Sequence, residues 1–383
     1  MDTQNHTEDD RQKAPDLAST LEQVRACLVR FICFPMEAHY DIVTLWIAHT
    51  FLMDHWCSTP RLALISPEPG SGKTRVLEVM ALLVSNPKET VSATMAYLVR
   101  SISSENRPTL LIDEFDTIFA NKGPRSEEIR ALLNAGYRNG ASIGRCRLDK
   151  QNFTPEDLEA YCPVALAGLG GLPETISSRS ICIRMKKRRH DEPVESLRFK
   201  THSIELGKLK ADLMSAINAV SKKISATNPQ LPENITDREA DIYEPLFVIA
   251  EAAGADWPKR VSVAAVALVA DAQERGLSPA VALLQDIRKK FRGRDVVASA
   301  EIIERINSDD DSAWSSVSHD LLTTRSLARL LKDFLPDGCR SRNLRIGGKV
   351  QKGYRLSWLE DAWVRYLGAE EIPVTRVTSA TFG

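Results

Sequence analysis

The sequence predicts an α/β fold built on a parallel sheet, and three observations predict it. A short apolar run, Leu62 to Ile65, leads into Ser66-Pro67-Glu68-Pro69-Gly70-Ser71-Gly72-Lys73-Thr74, and a helical pattern begins near Arg75. A second run, Thr109-Leu110-Leu111-Ile112, ends in Asp113 and Glu114, as a strand buried on both faces reads. Between and after them, helical periods alternate with further strand-length runs, among them Val164 to Leu169 and Ser180 to Met185.

Strand, glycine-rich turn, helix is the setting of a phosphate-binding loop. Gly70 and Gly72 leave room for backbone N–H groups to close on phosphate oxygens, and the helix start behind them adds positive partial charge. The G-x-x-x-x-G-K-[ST] pattern asks for Gly where the chain has Pro67, so the shorter, Pro-rich form seen in AAA+ ATPases fits better. The expected nucleotide contacts are Pro69, Gly70, Ser71, Gly72, Lys73, Thr74 and Arg75. Lys73 reaches for the β- and γ-phosphates, and Thr74 with Asp113 is expected to hold Mg²⁺. Glu114 then orients or deprotonates the attacking water. The cofactors expected are therefore ATP and Mg²⁺.

Composition excludes little. With 43% hydrophobic and 26% charged residues and a net charge of −1, the 383-residue chain is an ordinary globular one, with no global field toward nucleic acid or membrane. Seven cysteines form no C-x-x-C pair, so neither zinc nor a disulfide framework is signalled. Met1 to Pro15 is polar, without the apolar core of a signal peptide, and a cytoplasmic location is expected.

In chain order the expected domains are a loose tail at 1–16, an N-terminal helical segment at 17–58 and the P-loop core at 59–190. A helical lid follows at 191–295, a winged-helix-like module at 296–367 and a flexible tail at 368–383. In the helical segment, His49 and His55 are expected partly exposed on a packed helix rather than as metal ligands. Within the core, Thr90 to Ser92 is expected as a short strand and Ser126 as a helix cap. Ser142 to Leu148 reads as one arm of a hairpin. Its Arg145, Arg147 and Lys150 face either solvent or nucleic-acid phosphates. Arg179, just before a strand, is placed where ring-forming ATPases present an arginine to a neighbour's γ-phosphate, a catalytic role beside those of Lys73 and Glu114. The five basic residues between Arg184 and Arg189 read as a solvated exit from the core. Arg238 opens a lid helix and is either a nucleotide-sensing arginine or a surface ion pair. Residues 340–356 carry six basic side chains and no acidic ones. Arg340, Arg342, Arg345, Lys349 and Lys352 are the clearest nucleic-acid patch.

Several strings together resemble a P-loop family of bacterial mobile elements, domain-of-unknown-function family 3631. They are Leu45 to Thr50, Thr59 to Leu62, Ser66 to Thr74, Pro108 to Glu114, Ala167 to Leu169, Ser178 to Ile181, Asp237 to Asp241 and Lys352 to Tyr354. The resemblance runs from about residue 25 to 367 and implies the ATPase half of a phage or plasmid primase–helicase. The expectation is a three-layer, AAA+-like P-loop NTPase with a helical lid and a C-terminal winged helix. It acts on DNA as a homo-oligomeric ring, a hexamer being one option. A nucleotide switch or scaffold, and a DNA-binding regulator without motor activity, are the other classes. The strand ending Gly168-Leu169 lacks the Asn or Thr that AAA+ proteins use as a first sensor; Asn134 and Asn139 are the substitutes.

Overall fold

A computed structural model describes residues 14–90, 94–103, 107–119, 123–149, 152–275, 278–318, 320–336 and 338–368. Contacts divide the chain into two compact units, one through Ala270 and one from Asp271.

The first unit opens with α1 (Leu17–Phe31) and α2 (Glu37–His49) and a short 3-10 turn at Met53–His55. Then follow β1 (Arg61–Ser66), α3 (Lys73–Leu83), β2 (Pro87–Thr90), α4 (Met95–Ile102), β3 (Thr109–Ile112) and α5 (Phe115–Phe119). After these come α6 (Pro124–Ala135), β4 (Ser142–Asp149), β5 (Asn152–Glu159), β6 (Val164–Leu169), α7 (Glu174–Ser177) and β7 (Ser180–Arg184). Helices α8 (Phe199–Ala226), α9 (Asp237–Ala253) and α10 (Trp257–Arg275) follow, the last running past Ala270. Five strands form one parallel sheet in the order β2-β3-β6-β1-β7. Successive side chains of a strand point to opposite faces, and each face here has its own core. Leu111, Ala165 and Ala167 join one core, while Leu110, Ile112, Val164 and Leu166 join the other. In the central strands β3 and β6 and over Leu62–Ile65 of β1, apolar side chains are therefore required on both faces, which is why these read as unbroken apolar runs, while the edge strand β2 is half-exposed.

The first core is shared by α1, α2, α3, α8, α9 and α10, and the second by α4, α5 and α6. The N-terminal helical segment and the expected lid helices α8 to α10 therefore pack as one layer on one sheet face. β4 and β5 pair antiparallel, Ser142 opposite Glu159, as the hairpin expected between β3 and β6. The side chains of Arg145 and Arg147, and Lys150 altogether, lie outside the described residues.

Some local expectations are corrected. The second strand runs over Pro87–Thr90, pairing Pro87 with Thr109; of the expected Thr90 to Ser92, Val91 and Ser92 lie outside the described residues. Helix α6 starts two residues before Ser126, because Pro124 suits a first helical position; Ser126 is buried instead of capping. His49 is wholly buried, not partly exposed, since Trp46 carbonyl oxygen and Thr59 Oγ1 take its two ring nitrogens.

The second unit holds α11 (Pro279–Lys290), β8 (Val296–Ala298), α12 (Ser299–Asn307), α13 (Ala313–Val317) and α14 (Thr324–Leu331). β9 (Arg342–Ile346), β10 (Lys349–Arg355) and α15 (Glu360–Leu367) complete it. α11, expected in the lid, shares the core of this unit through Leu283, Leu284 and Ile287. The sheet is antiparallel in the order β8-β10-β9. Its tight hairpin turns on Gly347 and Gly348, both at positive φ, the pair that a two-residue turn favours. No helix among the described residues is long and apolar enough to cross a membrane.

Candidate nucleotide site and arginine edge

The loop after β1 and the carboxylates after β3 meet at the C-terminal edge of the sheet. Gly70 and Gly72 sit at φ +78° and +85°, a region that glycine enters without strain. Gly72 is the residue on which α3 starts, so the loop's N–H groups lie at a helix N-terminus. Lys73 is buried, and its Nζ donates to Ser66 Oγ and to Ser71 Oγ. Burial lowers its pKa, while Asp113 and then Asp116 act against that fall. Thr74 Oγ1 donates to Asp113 Oδ2 at 2.8 Å across 39 residues of sequence. Asp113 Oδ1 takes the Glu114 N–H, and Glu114 itself sits at φ +55°, a rare setting for a residue with a side chain. The Glu114 carboxylate is exposed and has no hydrogen-bond partner among the described residues. Arg75 faces Glu78 at 3.1 Å and the Leu197 carbonyl, so it is held along α3.

Two groups here were not singled out from the sequence. Asp116 Oδ1 accepts the Leu169 N–H at 2.8 Å, tying α5 to the end of β6. Lys187, from the basic run after β7, places its Cε 3.9 Å from where a Cβ on Gly70 would stand. The run is registered there because the Met185 N–H donates to the Ile65 carbonyl, extending β7 beside the loop. A basic stretch reads as a solvated face until that register is known.

The opposite, N-terminal edge gathers arginines. The Arg179 carbonyl accepts the Arg61 N–H, fixing Arg179 at the start of β1 and β7. Its guanidinium lies over the Tyr137 ring at 4.9 Å, Nη1 donates to the Thr175 carbonyl, and Nε is buried without a partner. Arg138 stacks on the same ring at 5.4 Å. Arg238 Nη1 donates to Ser178 Oγ at 3.1 Å, next to Arg179. The six residues of β1, roughly 20 Å of strand, therefore stand between Arg238 and the Lys73 loop of its own chain. Arg238, expected either to sense nucleotide or to form a surface ion pair, thus lies away from the Lys73 loop of its own chain. Asn139 is no sensor substitute either, because its side chain binds the Trp56 carbonyl; Asn134 binds Thr175 Oγ1.

In the second unit, Arg342, Arg345, Lys349 and Lys352 stand exposed on the β9–β10 hairpin, with Leu344 and Ile346 turned inward. Arg342 lies 4.8 Å from the Trp358 ring, and Arg340 precedes β9. Arg325 and Arg329 are exposed on α14 of the same unit, two more basic side chains that the hairpin alone does not reveal.

A family described as protein of unknown function (DUF3631) matches residues 184–366. An uncharacterized 28.9 kDa protein in the xis 5′ region of Saccharopolyspora erythraea is 33% identical over 184 residues, 48% of this chain and 68% of that protein. The chain belongs to this family. The family match starts at the end of β7, narrower than the stretch from residue 25 that the resemblance implied, so the nucleotide loop stands on its own geometry. Among solved structures, the NrS-1 C-terminal region is similar at 9% identity and TM-score 0.41, over 90% of this chain and 77% of that one. A full-length MCM homolog from Methanopyrus kandleri is similar at 15% identity and TM-score 0.36, over 67% and 62%. Likenesses this distant transfer neither fold nor activity to the chain.

Proposed function

We propose that the chain is a Mg²⁺-dependent P-loop ATPase of the AAA+ kind, working as a ring-forming motor or remodeller on the DNA of a phage or mobile element. The observation that carries this is the 2.8 Å bond between Thr74 and Asp113, with the Lys73 amine at the same sheet edge. A hydroxyl and a carboxylate oxygen are hard donors, and Mg²⁺ is commonly held by one or two such groups plus phosphate oxygens and water. Thr74 and Asp113 would hold the metal, whose charge offsets that of the phosphates. Lys73 turns from the two serines to the phosphates. Glu114, held outward by its backbone, accepts the proton of the water that attacks the γ-phosphorus.

Arg179 and Arg238 are at the edge away from this site, so the nucleotide they serve is held by a second copy of the chain. The strand order with β6 between β1 and β3 supports the AAA+ assignment. The second unit's order of helix, strand, three helices and hairpin, with α13 spanning only five residues, supports a winged helix whose exposed basic side chains touch DNA phosphates.

The test is ATP turnover with and without single-stranded DNA, with Glu114→Gln as comparison. Turnover falls about 10²- to 10⁴-fold in Glu114→Gln while nucleotide binding persists, and DNA raises the wild-type rate. Wild-type turnover indifferent to DNA points to a switch or scaffold instead. Sequence-specific DNA binding without turnover points to a regulator.

A further inference from the structure

The chain has no polar side chain at the end of β6, where it lies between the strands carrying the Lys73 loop and Asp113. The sequence there is Gly168-Leu169-Gly170. The structure shows why. A Cβ on Gly168 would stand 2.6 Å from Asp116 Oδ1 and 2.7 Å from the Phe115 ring, so any side chain at 168 would expel both. The space beside β6 is already filled by Asp116 from α5, the helix after β3.

We propose that Asp116 is the positioning residue that reads the nucleotide state and passes it to the arginine edge. This rests on the reading of the Lys73 loop as a nucleotide site. Four contacts carry it. Asp116 Oδ1 holds the Leu169 N–H, and the next residue, Gly170, donates its N–H to the carbonyl of Ser66, at the head of the loop. Beyond Gly170 the chain enters α7, where the Thr175 carbonyl accepts from Arg179 and Thr175 Oγ1 accepts from Asn134. A displacement of Leu169 is thus felt at Arg179 through a single short segment, with no long loop to absorb it.

The electrostatics give the displacement a cause. Without nucleotide, the Lys73 ammonium is bonded to Ser66 and Ser71 and lies in the field of Asp113 and Asp116. With phosphates in the loop, Lys73 turns to them, and Asp116 loses its counter-charge and faces an anion. A carboxylate tied to one N–H then shifts its weight onto the Leu169 bond and any water donor in reach. The chain thereby couples loop occupancy to the arginine that serves a neighbouring copy.

Two variants separate this from a packing role. Asp116→Asn keeps an oxygen for the Leu169 N–H and the same volume but removes the charge. Asp116→Ala removes both. Turnover of Asp116→Asn at saturating ATP should fall at least about tenfold, with nucleotide affinity within about twofold of wild type. In the wild type, ATP should change amide exchange of the Leu169–Arg179 segment at least about threefold, and that response should vanish in Asp116→Asn. Asp116→Asn turning over at the wild-type rate, or keeping the ATP-dependent exchange change, overturns the proposal. If Asp116→Ala fails to fold, the Asn variant still decides. A wild type that binds no nucleotide overturns the site reading itself, an outcome distinct from an active wild type indifferent to Asp116.

Discussion

The two edges of the parallel sheet handle charge in opposite ways. At the C-terminal edge, charged and polar groups from distant parts of the chain find one another: Thr74 meets Asp113, and Lys73 lies among Ser66, Ser71 and two aspartates. At the N-terminal edge, Arg179 and Arg238 have a carbonyl, a hydroxyl and an aromatic ring as partners, and among the described residues neither has a carboxylate within ion-pair distance. Arg138 at this edge has Asp241 at 3.8 Å, whereas Arg179 and Arg238 lack such a partner, which is what the proposed completion of this edge by a second copy needs. The guanidinium plane, pre-positioned on Tyr137, loses little freedom when a phosphate oxygen arrives.

The largest effect that would break this contrast comes from mixing two inactive variants. Arg179→Ala should lower turnover about 10³-fold with ATP binding intact, as expected for an arginine that stabilises charge at a transferring phosphoryl group. Lys73→Ala should lose nucleotide binding. Combined, the two should regain part of the wild-type rate, because an intact Lys73 loop in one copy then faces an intact Arg179 in the next. No recovery on mixing, with each variant folded and associating, means that the arginine acts within its own chain or not at all. Arg238→Ala should follow Arg179→Ala in direction with a smaller loss.

The C-terminal edge was largely legible in the sequence, and the other edge was not. The Lys73 loop and the strand before Asp113 announce themselves because local chemistry demands it: glycines at positive φ, and strands apolar on both faces. Arg179 was nominated from its place before a strand. The position of Arg238 stayed open in the sequence because it depends on where α9 docks against α2, and an amphipathic pattern says that a helix is covered without saying by what. Asp116 was passed over as one more carboxylate after a strand, since its bond to Leu169 spans 53 residues. The three-residue β8 is too short to have a period at all.

A second contrast between the edges is their response to acid. His49 sits behind the arginine edge: its Nε2 faces Thr59 Oγ1, and the Thr59 N–H donates to the Tyr137 carbonyl under the stacked arginines. Burial pushes the His49 pKa down from 6.5 to about 4. The folded state thus binds this proton less readily than the unfolded chain does. Stability from this group is unchanged above about pH 6.5 and falls as pH drops toward 4, by up to roughly 3 kcal/mol. Urea unfolding midpoints between pH 7.5 and 4.5 measure it. His49→Gln should flatten that acid limb while costing some stability at neutral pH, and an unchanged limb would show that the acid sensitivity comes from another group.

The smallest effect sharpens the description of the C-terminal edge. Lys187 is exposed, and its Cε stands beside Gly70, yet it takes no ion-pair partner among the described residues. An exposed ammonium near bound phosphates contributes on the scale of a surface ion pair, about 0.2–1 kcal/mol. Lys187→Ala should therefore weaken nucleotide affinity only about two- to fivefold, with turnover at saturation unchanged, because the interaction is the same in ground and transition states. Screening gives the decisive control. The difference between wild type and variant should shrink as salt is raised toward about 1 M, where the Debye length falls to about 3 Å. A loss that persists at high salt would mean that the Lys187 stem packs against the bound base rather than that its charge meets phosphate. Lys186→Ala in the same run serves as the reference, since no contact places it at the loop.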